Sequence, residues 1–168
     1  METKSTTDIL KEAVLLELRG KAFYANIAAQ TKSEAVRKIF TMIAEEEEQH
    51  IVFLSHQFAY YKKHNSFTEL TTHKDKPSEE GLKQVLSEAM KDQISAASFE
   101  AAAISAAMDF EARAVDLYAG RAESATDANE KATYNMLAEW ERGHQKMLMK
   151  IDKDLREQVW YDNNFWPF

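Results

Sequence analysis

The feature that most constrains this chain is a pattern of acids and histidines written twice. Glu47 and His50 stand three apart, as do Glu141 and His144, and the second pair lies 94 residues after the first. On an α-helix that spacing puts both side chains on one face about one turn apart, where they can serve a single ion. With 19 Glu and five His in the chain, about half an accidental pair is expected, so one copy alone carries little weight. The offset gives the second copy its force, because other positions obey it. Glu17 matches Glu111, Phe23-Tyr24 match Leu117-Tyr118, Phe40 matches Tyr134, Ile43-Ala44 match Leu137-Ala138, and Leu54 matches Leu148. Each half therefore reads as a helix with one Glu, followed 30 residues on by a helix with Glu-x-x-His.

All of these acids sit in apolar stripes. Counting by threes and fours from Glu47 and His50 gives Val36, Phe40 and Ile43 on one side and Leu54, Phe58 and Tyr61 on the other. Around Glu141 and His144 the same count gives Tyr134, Leu137, Leu148, Ile151 and Leu155. Glu17 shares a face with Leu10, Val14, Tyr24 and Ile27, and with either Gly20 or Lys21, while Glu111 shares one with Ile104, Ala107, Met108, Val115 and Tyr118. A charge buried in such a stripe is costly unless something compensates it.

The boundaries follow from capping chemistry. Thr7 or Asp8 is expected to cap a first helix ending near Gln30, and Ser33 a second reaching about His64. The link over 31–33 is so short that these helices must be antiparallel neighbours. Asp127, with Glu130 three residues on, opens a fourth helix expected to end near Glu157. Four Gly and two Pro suit long uninterrupted helices. The expected organisation is one domain over 1–158, with hairpins at 8–64 and 98–157 joined by a crossover at 65–97 that includes a short helical piece near 79–91. An aromatic tail at 159–168 is expected to pack on the bundle or on a second copy rather than on a membrane.

Composition excludes several functions. A net charge of −7 leaves no basic footprint for nucleic acid. No apolar run approaches the roughly 20 residues of a membrane span, since Glu100 and Asp109 interrupt the Ala-rich stretch at 94–110. Residues 1–8 are polar and lack the apolar core of a signal peptide, so a cytoplasmic protein is the default expectation. With no Cys, these residues hold no thiolate metal site, iron–sulfur centre or rubredoxin-type centre. Two hairpins with one long crossover make an all-α, ferritin-like four-helix bundle, in which four Glu and two His converge at mid-height. Two divalent cations cancel the four carboxylate charges there, so the site reads as dinuclear.

The set Glu17 with Phe23-Tyr24, Ile43-Ala44 with Glu47 and His50, Glu111 with Leu117-Tyr118, and Glu141 with His144 resembles the rubrerythrin branch of the ferritin-like di-iron proteins. The resemblance spans about residues 8–155. It implies a centre of two iron ions bridged by Glu47 and Glu141, with Glu17 and Glu111 as terminal carboxylates and His50 and His144 each on one iron. It also implies that Tyr24 and Tyr118 hydrogen-bond the ligating carboxylates; the plainer reading of both is ordinary core tyrosine. The implied activity is reduction of hydrogen peroxide or dioxygen by a soluble protein, with a homodimer as the usual minimum.

Two departures from that family shape the expectation. Typical rubrerythrins carry a rubredoxin domain with four Cys, and with no Cys here the electrons are expected from an external, rubredoxin-like donor protein. The family also has a further Glu three residues after the third-helix ligand, where this chain has Ala114; Glu100 and Asp116 are the substitutes at hand. Six ligands without a seventh are also similar to bacterioferritin, so the alternatives are a ferroxidase or storage protein, or a non-catalytic bundle holding zinc or manganese. Glu45, Glu46 and Glu48 are read as a solvated face, and His56, His64 and His73 as surface or hairpin-end residues.

Overall fold

The computed structural model describes residues 5–70 and 99–162, which form four helices: α1 (Thr6–Gln30), α2 (Glu34–His64), α3 (Phe99–Ser124) and α4 (Ala128–Asp162). α1 packs along α2 and α3 along α4, and α1 also touches α3, giving two antiparallel hairpins in one bundle. The expected all-α, four-helix architecture is what the chain adopts. Among the described residues no helix is long and apolar enough to cross a membrane.

The caps show how local chemistry sets the ends. Ser5, not Thr7 or Asp8, caps α1: its hydroxyl accepts from the Asp8 backbone N–H at 3.2 Å and donates to the Asp8 carboxylate at 2.6 Å. Asp8 thus serves as the third residue of a short capping box begun three positions earlier. Ser33 caps α2 as expected, accepting from Val36 N–H at 3.3 Å, and Asp127 caps α4 by accepting from Glu130 N–H at 2.7 Å. α2 ends on Asn65, whose left-handed backbone (φ 53°) lets its N–H reach the Tyr61 carbonyl at 2.8 Å.

Three boundaries differ from expectation. Beyond α2 the chain folds back, burying Phe67, and Thr68 satisfies Gln57 at both ends of its amide (2.8 and 3.1 Å). Gln57 is thereby fully buried, while Phe58 and Tyr61, expected on the inward stripe, are half-buried. α4 continues past Glu157 to Asp162. The rest of the crossover beyond Leu70, including the expected helical piece at 79–91 and His73, lies outside the described residues, as do residues 163–168 and the side chains of 158–162.

The core is divided in two. One apolar cluster joins Tyr24 and Ile27 of α1, Phe40 and Ile43 of α2, Ile104 of α3 and Leu148 of α4. The other joins Leu10 of α1, Leu54 of α2, Tyr118 of α3, and Tyr134 and Leu137 of α4. Along every helix the repeated acids and histidines fall between the two, so one cluster lies above them and the other below. Each large side chain fully buried there contributes about 1.5–3 kcal/mol, which is what offsets a polar layer at mid-bundle. The Thr31 hydroxyl, donating to Glu100 at 2.7 Å, adds a polar tie between the two hairpins at one end.

Candidate metal centre

The structure brings all six sequence-identified residues together, none more than 4% exposed. They form two overlapping groups, Glu17 with Glu47, His50 and Glu141, and Glu111 with Glu47, Glu141 and His144; within each group the potential ligand atoms lie within 4.8 Å of one another. α1 and α3 each contribute one acid, and α2 and α4 each contribute an acid and a histidine one turn apart, so helical spacing alone delivers the set.

The orientation of the shared acids is specific. Nδ1 of His50 lies 3.1 Å from Glu141 Oε1 and 3.4 Å from Glu47 Oε2, whereas Nδ1 of His144 lies 3.5 Å from Glu141 Oε2 and 3.7 Å from Glu47 Oε1. Glu47 and Glu141 thus turn one oxygen to each histidine. Glu17 faces only His50 (3.1 Å), and Glu111 only His144 (3.5 Å). The imidazole rings are themselves stacked, with centroids 5.6 Å apart.

Tyr24 of α1 donates to Glu111 of α3, and Tyr118 of α3 donates to Glu17 of α1. Burial, and the carboxylates around them, push both phenols well above their ordinary range, so each remains a donor at any working pH.

Electrostatics indicate what the layer lacks. Both oxygens of Glu47, Oε2 of Glu111, Oε1 of Glu141 and Nδ1 of His144 are buried without a hydrogen-bond partner among the described residues. Such orphans are rare in native interiors, and here they are hard oxygen and imidazole donors converging on two centres. The residues therefore fit a pair of divalent metal ions. In the absence of metal, protons take the compensating role. Burial and the neighbouring Glu141 carboxylate push Glu47 well above the usual carboxylate range; burial also pushes Glu111 up to about 8, against the opposing pull of His144. Burial opposes the charged forms of His50 and His144, but the surrounding carboxylates outweigh it and hold both pKa values well above normal. Burial likewise opposes ionisation of Glu141, yet hydrogen bonds from His144 and His50 hold it below its ordinary value.

Two features escaped the sequence. Glu46, read there as part of a solvated face, accepts from Nε2 of His144 at 2.7 Å and is only 23% exposed. Trp140 lies flat on His50, with ring centroids 4.7 Å apart and planes 10° from parallel. Positions 46 and 140 are themselves one repeat apart, so the offset that found the ligands also marks this pair. Of the other expectations, Glu45 and Glu48 are exposed, Glu48 pairing with Lys21 at 2.6 Å, and His56 and His64 are exposed. Ala114 is buried beside Leu10 and Tyr118 in the apolar cluster. Neither proposed substitute for a seventh acid joins the centre: Glu100 bonds Thr31 at the far end of α3, and Asp116 is exposed. Gly20, the repeat partner of Ala114, passes so close that a Cβ there would lie 3.0 Å from the Phe110 ring and 3.3 Å from Glu47 Oε1.

The family model for rubrerythrin matches residues 8–152. Among solved structures, a hypothetical protein from Pyrococcus furiosus is similar at a TM-score of 0.64, with 20% identity over 91% of each chain, a likeness of fold. No curated protein matches the chain.

Proposed function

Because the chain belongs to the rubrerythrin family, we propose that it binds two iron ions between Glu17, Glu47, His50, Glu111, Glu141 and His144, and reduces hydrogen peroxide, or dioxygen, with electrons from an external donor protein. The observation that carries this reading is the turn of Glu47 and Glu141, each of which presents one oxygen to each histidine. A pair of irons held there supplies the two electrons that, with two protons, convert one hydrogen peroxide to two waters.

The chain's own residues do the rest. Tyr24 and Tyr118 fix the terminal carboxylates by donating to Glu111 and Glu17. The apolar clusters above and below the layer exclude bulk water, so each electrostatic contact within it acts at low dielectric. Gly20 keeps a side chain from crowding Glu47.

The test is to load the protein with ferrous iron without oxygen, measure iron per chain, and follow peroxide consumption with a reduced rubredoxin-type donor. About two irons per chain are expected, with one peroxide consumed per two donor electrons. Iron accumulating well beyond two per chain with dioxygen as oxidant would point to the ferroxidase alternative. Tight zinc or manganese binding with no peroxide response would leave the non-catalytic bundle.

A further inference from the structure

The internal repeat makes the two halves of the centre equivalent in their six acids and histidines, but not in what stands behind the histidines. Residue 46 belongs with His144 and residue 140 with His50 by the same offset, yet one is a glutamate and the other a tryptophan. The carboxylate of Glu46 takes the Nε2–H of His144 at 2.7 Å. That bond commits the imidazole to the tautomer with its lone pair on Nδ1, and Nδ1 is the atom facing Glu47, Glu111 and Glu141. The carboxylates that approach His50 do so at Nδ1, and its ring is covered by the Trp140 indole. Stacking holds a ring's plane but accepts no proton from it. One histidine is thus fixed in both orientation and tautomer, and the other in orientation.

We infer that Glu46 is a positioning residue that makes the metal position served by His144 the tighter of the two, so that the centre fills in sequence. The inference rests on the dinuclear reading above. A carboxylate behind a ligating histidine commonly changes metal affinity by about 10- to 100-fold. The unequal backing predicts a separation of that order between the two binding steps, with the His50 position left as the more exchangeable.

The experiment is an anaerobic titration of the metal-free full chain with cobalt(II), read by its visible absorption and by calorimetry. Wild type should bind two cobalt ions per chain in two resolved steps. E46A should loosen the tighter step at least tenfold and leave the weaker one in place, so that the steps merge. E46Q, which keeps the side chain's shape and an acceptor oxygen, should give a smaller loss in the same step, and it serves if E46A fails to fold. W140F should leave the tighter step where it is. Two cobalt ions bound with a single affinity in wild type, or an equal loss in both steps on removing Glu46, would overturn the inference while leaving a dinuclear centre intact. Fewer than two bound per chain in wild type would instead overturn the dinuclear reading, and the inference with it.

Discussion

Tyr118 donates its hydroxyl to Glu17 across the bundle, and its repeat partner Tyr24 returns the same bond to Glu111 in the opposite direction. Each tyrosine thus serves the acid of the other half, so the two hairpins are joined at the polar layer as well as in the apolar clusters. Replacing either phenol by Phe leaves a buried carboxylate oxygen without its donor, at a cost of about 1–3 kcal/mol. Y24F and Y118F should each lower the thermal midpoint of the metal-free protein by a similar amount, because the repeat gives them similar surroundings. A loss confined to one of them would show that the two halves are not mechanically equivalent.

Metal-free protein should lose stability as pH rises through the neutral range. Folded Glu111 holds a proton up to about 8, against an ordinary 4.5, so between those values the folded state binds more protons than the unfolded one. Glu47, His50 and His144 act in the same direction, since each holds its proton to a higher pH when folded. Glu141 opposes them only in acid: its contribution is present above 4.5 and is lost as pH falls through its lowered value. Denaturant unfolding at pH 5 and pH 8 should therefore show the metal-free chain weaker at pH 8. The metal-loaded chain should show the reverse, because metal displaces those protons and its affinity rises as they leave. Equal metal-free stability at the two pH values would mean that the layer is compensated by something other than protons.

What the sequence made legible, and what it hid, divides by range. The six residues of the centre and the Ser33 and Asp127 caps depend on spacing along one helix, and a repeat in one dimension exposes them. Glu46 depends on which flank of α2 meets α4, a matter of helix crossing that the run Glu45 to Glu48 does not encode. Its repeat partner offered the missing signal, since Trp140 is an unlikely residue for a solvated face and the two positions must face the same layer. Gln57 was hidden for a similar reason: burying an amide requires partners, and Thr68 supplies them only once the chain has folded back. At the start of α1, Ser5, Thr6, Thr7 and Asp8 are all competent caps, and only the backbone path selects among them.

Gly20 is where helix preference and the site conflict. Alanine in a helix interior is favoured over glycine by about 1 kcal/mol. The added Cβ would meet the Phe110 ring at 3.0 Å and Glu47 Oε1 at 3.3 Å, and Phe110 is packed against Phe23 and Tyr24, so it cannot retreat freely. Overpacking of this kind costs about 1–3 kcal/mol, enough to cancel the gain. G20A should therefore unfold at or below the wild-type temperature and bind cobalt(II) several-fold more weakly, because the carboxylate of Glu47 must turn. A variant stabilised by the full propensity gain with unchanged affinity would show that the contact relaxes without cost.

The four acids should differ in what their loss removes. Glu47 and Glu141 each face both histidines, whereas Glu17 and Glu111 each face one. E47Q or E141Q should therefore abolish or severely weaken binding of both metals, while E17Q or E111Q should leave about one per chain by elemental analysis after loading. E47Q carries a second signature. Glu47 has no hydrogen-bond partner for either oxygen and holds its proton well above the usual range. A neutral amide of the same shape should thus stabilise the metal-free protein at pH 8 and change little at pH 5, where Glu47 is already protonated. More stable without metal and unable to hold it, E47Q would show that this carboxylate is kept at a cost to the fold for the sake of the centre. Equal metal loss in all four variants would instead describe an undivided acidic cluster, with no distinction between shared and terminal acids.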